Sequence, residues 1–110
     1  MEDKNITTQK RRVDEFKKIV DKIVSQFVDK NMDYGGSVFE TYEEYGEEAF
    51  LIRLTDKLNR LKKIEDSGKV EVSSESFEDT LEDLATYAII NLVALHENDQ
   101  DKAVTSDATN

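Results

Sequence analysis

An all-α fold, an antiparallel helical bundle of three main helices, is what the 110-residue sequence predicts, on three observations. The chain has no proline and only four glycines, so long stretches carry no helix breaker. Apolar residues recur at spacings of three and four along three separate stretches. The one stretch that alternates as a strand would, Val70-Glu71-Val72, finds no second strand to pair with and reads as loop.

The first helix is expected from about Gln9 to Lys30. Val13, Phe16, Val20, Ile23 or Val24, and Phe27 define one apolar face, with Lys, Arg and Asp opposite. The next segment, Asn31-Met32-Asp33-Tyr34-Gly35-Gly36-Ser37, has the composition of a turn. Ser37 with Glu40, or Thr41 with Glu44, has the capping-box spacing that would start a new helix. The second helix is expected from about Glu47 to Ile64 on Phe50, Leu51, Leu54, Leu58 and Leu61, and Ser67-Gly68 ends it. Ser74 or Ser76 caps a third, Ser76 and Asp79 having the capping-box spacing, and it runs to about Glu97. From Leu84 to Leu95 that helix is apolar nearly all round, and such a helix needs cover on every side. Three helices supply too little, so a homodimer or homotetramer is expected, with this helix at its centre. Residues 1–97 form a single helical domain on this reading, and 98–110 a disordered polar tail.

Composition removes whole classes of function. Without cysteine there is no disulfide scaffold, zinc finger, thiol nucleophile or iron–sulfur site. A single histidine, His96, leaves no multi-histidine metal centre; near a helix C-terminus it reads as a favourable end charge. A net charge of −10 argues against reading duplex nucleic acid, which rests on neutralising phosphates with excess Lys and Arg. A small phosphorylated ligand needs only a local cluster of cations and stays open. No run approaches the roughly 18 apolar residues of a membrane span, and the charged N-terminus has no secretory stretch, so the cytosol is expected.

The informative residues are polar ones that a plain bundle does not need. Asp79 and Asp83 stand four apart on the third helix, so their carboxylates project side by side, and a cation between them would relieve their repulsion. The same face continues through Tyr87 to Asn91, a polar side chain inside an apolar stretch that must find hydrogen-bond partners. It is either a satisfied core amide or register-setting residue at an interface, or a ligand contact. On the second helix Arg53, Asp56, Lys57 and Arg60 occupy one flank. They read as a solvated Asp56–Arg60 pair, or as an oxygen ligand for Mg2+ beside cations for phosphate oxygens. Glu44, Glu47 and Glu48 suit a first helical turn and could also supply carboxylates, with several registers open.

Three blocks in order, KNMDYGGS, IRLTDKLNRLKKI and ESFEDTLEDLATYAIINLVAL, resemble the nucleotide modification associated domain 1 family, a small all-helical family of bacteria and their phages. The likeness runs from about Asp29 to Leu95. More distantly, the third-helix pattern is similar to the MazG-like all-α nucleoside triphosphate pyrophosphohydrolases. Asp83 matches that group's final aspartate, while Thr80 stands where a glutamate would precede it and Arg53 replaces another.

The resemblance implies an Mg2+-dependent protein in a bacterial or phage-infected cytosol that cleaves NTP or dNTP to the monophosphate and pyrophosphate. Asp56, Asp79 and Asp83, with Glu44 and Glu48, would hold Mg2+, Asp56 and Asp83 carrying the catalysis. Arg53, Lys57 and Arg60 would neutralise phosphate charge, and Asp33 and Tyr34 would close over base or sugar, with Tyr87 and Asn91 as further ligand contacts. The alternative, which the missing glutamates favour, is a protein that binds or sequesters a nucleotide without turnover. A purely structural bundle with a solvated polar stripe is the third reading.

Overall fold

A computed structural model describes the backbone of residues 2–68 and 75–108 and the side chains of 4–30, 37–68 and 76–99. The fold is all-α: four helices and no strand occur among the described residues. They are α1 (Glu2–Asp29), α2 (Asn31–Tyr45), α3 (Glu48–Asp66) and α4 (Glu75–Ala108). Val70-Glu71-Val72 and the Ser74 cap lie outside the described residues. No described helix is long and apolar enough to cross a membrane. The chain divides into two compact units, Met1–Tyr34 and Gly35–Asn110.

In the first unit α1 starts at Glu2, well before the expected Gln9, and buries only part of the apolar face that its spacing predicts. Ile23 is buried and Val20 and Phe27 half-buried, whereas Val13, Phe16 and Val24 are exposed.

The expected turn at residues 31–37 is helix instead, and Gly35 and Gly36 sit inside α2. Each glycine costs about 1 kcal/mol against alanine in a helix, a local preference that packing overrides. What anchors α2 is an apolar stripe one turn apart: Val38 is buried, and the Tyr42 ring meets the Phe50 ring at 5.4 Å with a 56° tilt. Ser37 and Thr41 are consequently not caps. The Thr41 hydroxyl donates to the Ser37 carbonyl at 2.6 Å, from mid-helix. The break comes at Gly46, whose φ of 74° ends α2, its N–H donating to the Tyr42 carbonyl at 2.7 Å.

Nothing lies within 4 Å of a Cβ built on Gly46, or on Gly68 at φ +70. Gly46→Ala and Gly68→Ala are therefore expected to cost only the left-handed backbone strain, about 1–2 kcal/mol each, read as a shift in urea midpoint. A larger loss would mean that packing, not backbone conformation, selects glycine there.

α3 begins one residue later than expected and ends at Asp66. There the Ser67 N–H donates to the Lys63 carbonyl and the Gly68 N–H to the Glu65 carbonyl, with Gly68 supplying the left-handed residue. α4 takes Ser76 into its first turn rather than as a cap. It also continues past Glu97 to Ala108, through the stretch that composition marks as an irregular tail. His96 is thus an exposed residue three turns inside the helix, not at its end.

α3 and α4 form an antiparallel pair, and this pairing positions the candidate site. Phe50, fully buried, and Leu61 face inward from α3; Thr80, Thr86, Ile90 and Ala94 do so from α4. The register reads from cross-helix contacts: Lys57 meets Asp83, and four residues earlier on α3 Arg53 meets Tyr87, four residues later on α4. Phe50 is level with Ile90 in that register. The buried threonines need no partner across the seam, since Thr80 donates to the Ser76 carbonyl at 2.6 Å and Thr86 to the Glu82 carbonyl at 2.7 Å. The opposite face of α4 leaves Leu81, Ile89, Leu92, Val93 and Leu95 exposed, the second apolar side that the sequence implies.

Candidate functional site

The seam between α3 and α4 gathers five of the residues singled out in the sequence. Helical spacing puts Arg53 and Lys57 one turn apart on α3, and Asp83, Tyr87 and Asn91 one turn apart on α4. Antiparallel packing then matches them in pairs. The Lys57 ammonium donates to Asp83 Oδ2 at 3.3 Å; the Lys57 side chain is 19% exposed and that of Asp83 42%. Partly shielded, the pair contributes up to about 1 kcal/mol. The Arg53 guanidinium lies 5.5 Å from the centre of the Tyr87 ring, a cation–π contact that holds its plane in place.

At the far end of the seam the Asn91 amide donates to Glu47 Oε2 at 2.6 Å. Glu47 is the residue before α3 and makes no capping bond of its own, so its carboxylate is free to bridge to α4. An ionised carboxylate only accepts, which fixes the amide: nitrogen towards Glu47, oxygen inward. That oxygen, Asn91 Oδ1, is buried with no hydrogen-bond partner. Asn91 is thus half satisfied, its nitrogen bonded across the seam and its oxygen without a partner.

Asn91→Asp would place a second carboxylate against Glu47. It is expected to lower stability by about 1–3 kcal/mol at pH 7. Asn91→Leu should cost less, because Glu47 is exposed and can turn to water while the unpartnered oxygen is removed. Urea midpoints of the two variants at pH 7 check both, and a deficit for Asn91→Leu as large as that for Asn91→Asp would refute the Glu47 contact.

Other expected members stand apart from the seam. Asp56 is exposed on a different face of α3, lining a shallow groove with Glu48, Leu51, Ile52, Thr55 and Asn59. Arg60 is exposed and makes no ion pair with Asp56. Glu44, Glu48 and Asp79 are also exposed. The side chains of Asp33 and Tyr34 lie outside the described residues, and their backbone is helical.

Among the described residues no three Asp, Glu, His or Cys side chains converge where they could hold a metal ion. The Mg2+ set expected from Asp56, Asp79, Asp83, Glu44 and Glu48 is therefore not assembled within one chain. Its best-placed member, Asp83, already has a lysine as its cation. Among the described residues, these side chains do not fit an Mg2+ centre, since that ion needs its carboxylate ligands close to ~2 Å from a common point.

Glu47 was one of three equivalent glutamates in the sequence, and only the α3–α4 register distinguishes it. Tyr45 and Ile52 are not among the site residues that the sequence singles out. Both are strongly exposed, at 64% and 68%, on a groove between α2 and α3 that also meets Arg53.

No curated protein and no solved structure matches this chain. Residues 30–95 match the family described as nucleotide modification associated domain 1. The matched span is more than half of the chain and holds α2, α3, the α3–α4 seam and every residue of the candidate site. The chain belongs to the nucleotide modification associated domain 1 family.

Proposed function

We propose that the chain is a nucleotide-binding protein that takes the phosphates of a nucleotide on Arg53 and Lys57 at the α3–α4 seam. One observation supports this above the rest: two half-buried cations stand one turn apart in a chain whose net charge is −10. Burial of cations is costly, and here each is held by a specific α4 partner. Arg53 keeps its donors in a fixed plane by lying over Tyr87, which suits phosphate oxygens. Lys57 is a point charge that a phosphate can draw away from Asp83, because that pair is partly exposed and weak.

The family's description supports a nucleotide as the phosphorylated ligand. The pyrophosphohydrolase that the MazG-like resemblance implies is the less supported reading, since its carboxylates do not converge within this chain.

Titration of the protein with nucleoside mono-, di- and triphosphates, each with Mg2+ and with EDTA, tests the reading while pyrophosphate is assayed. Saturable binding that tightens with phosphate number and survives EDTA is the expected result. Absence of binding by every nucleotide overturns it. Pyrophosphate release that requires Mg2+ would instead establish the hydrolase, and with it a metal site completed by something beyond one chain.

A further inference from the structure

The geometry points to the groove between α2 and α3 as the subsite for the nucleobase, with Glu48 selecting guanine. This rests on the nucleotide reading above and adds the ligand's identity to it. The groove is about 430 Å3, lined by Thr41, Tyr45, Glu48, Ala49, Ile52 and Arg53. That volume is in the range of about 300–1,000 Å3 usual for small-ligand sites.

Most of the surface it exposes is apolar. Tyr45 and Ile52 are 64% and 68% exposed, so neither is held by packing, and each offers a flat or apolar surface to a stacked ring. Arg53 belongs both to this groove and to the α3–α4 seam. A nucleotide with its base in the groove therefore has its phosphates directed towards Arg53 and Lys57. The same residue joins the two halves of one ligand.

With Arg53 turned to the phosphates and Tyr45 offering its ring, the groove's remaining polar side chains, Glu48 and Thr41, present acceptors. Glu48 sits in the first turn of α3, and a carboxylate offers two acceptor oxygens. Thr41 has already spent its hydroxyl proton on the Ser37 carbonyl, leaving oxygen lone pairs. A base suited to such a site presents adjacent donors. Guanine does so, with N1–H beside the N2 amine, matching both oxygens of a carboxylate. Adenine and cytosine put a ring-nitrogen acceptor next to their amine, and uracil and thymine flank one N–H with two carbonyls; each sets a lone pair against Glu48.

The test compares dissociation constants for GTP, ITP, ATP, CTP and UTP with that for inorganic tripolyphosphate, which reports phosphate binding alone. The wild type is expected to bind GTP at least tenfold more tightly than ATP, CTP or UTP. ITP, which keeps N1–H and lacks the amine, should fall between. Glu48→Gln should abolish the preference with tripolyphosphate affinity unchanged, and Tyr45→Leu should weaken every nucleotide while sparing tripolyphosphate. Equal affinity for all bases, or a guanine preference that survives Glu48→Gln, overturns the subsite with the phosphate site intact. Failure of tripolyphosphate and every nucleotide to bind overturns both.

Discussion

Phe50→Ala is expected to destabilise the Gly35–Asn110 unit by about 3–5 kcal/mol, the largest effect of any single truncation in it. Phe50 has no solvent exposure, and no other described side chain is so completely buried. It touches the Tyr42 ring at 5.4 Å and is level with Ile90 across the seam, so it holds α2, α3 and α4 to one core. A domain of this size has a total stability of only about 5–15 kcal/mol, so the loss approaches the whole. Phe50→Leu keeps most of the apolar volume and should lose much less. Urea denaturation monitored by circular dichroism separates the cases. A cost below about 1 kcal/mol for Phe50→Ala would mean that the core does not close on this ring.

α3 and α4 were legible because their apolar periodicity and their stop signals agree. Ser67-Gly68 ends α3 with the left-handed glycine that the dipeptide suggests. α2 was not legible, because two adjacent glycines and an Asn-Met-Asp-Tyr lead outweigh a short stripe whose value depends on a distant partner. Val38 and Tyr42 read as helix only once Phe50 is known to lie against them. The far end of α4 misled for a related reason. Polar composition lowers the gain from packing, yet it contains no breaker, and a helix already formed adds residues at little cost.

The site was half legible. Arg53 and Lys57 on α3, and Asp83, Tyr87 and Asn91 on α4, each share a helix face by spacing alone. What spacing could not give is the register, and register decides partners. Asp56 precedes Lys57, and one residue turns the helix by about 100°, so the flank from Arg53 to Arg60 is too wide to face α4 together. Lys57 consequently takes its anion from α4 rather than from its own helix, and the carboxylates expected to share a metal are dispersed. Glu47 owes its contact to the chain break at Gly46, which sets it at the very start of α3.

Arg53→Ala is expected to weaken triphosphate binding by about 10–100-fold, the loss of a charge-assisted contact of about 1.5–3 kcal/mol. The fold should survive it. The Arg53–Tyr87 contact contributes about 0.5–1 kcal/mol at a half-exposed position, well below the cost of opening the core at Phe50. Arg53→Lys separates charge from shape: it keeps the cation but loses the planar fork that rests on the Tyr87 ring, so a smaller loss, about 3–10-fold, is expected. Tyr87→Leu should act in the same direction as Arg53→Lys, because it removes the surface that fixes the guanidinium without touching its charge. Binding should also weaken with salt in the wild type and do so less steeply in Arg53→Ala, since one phosphate-neutralising cation is gone. Affinities measured at two ionic strengths, beside urea midpoints for the same variants, check all of this together. If Arg53→Ala binds within twofold of the wild type at unchanged stability, the phosphates do not lie on this seam, and the cation–π pair is a packing contact alone.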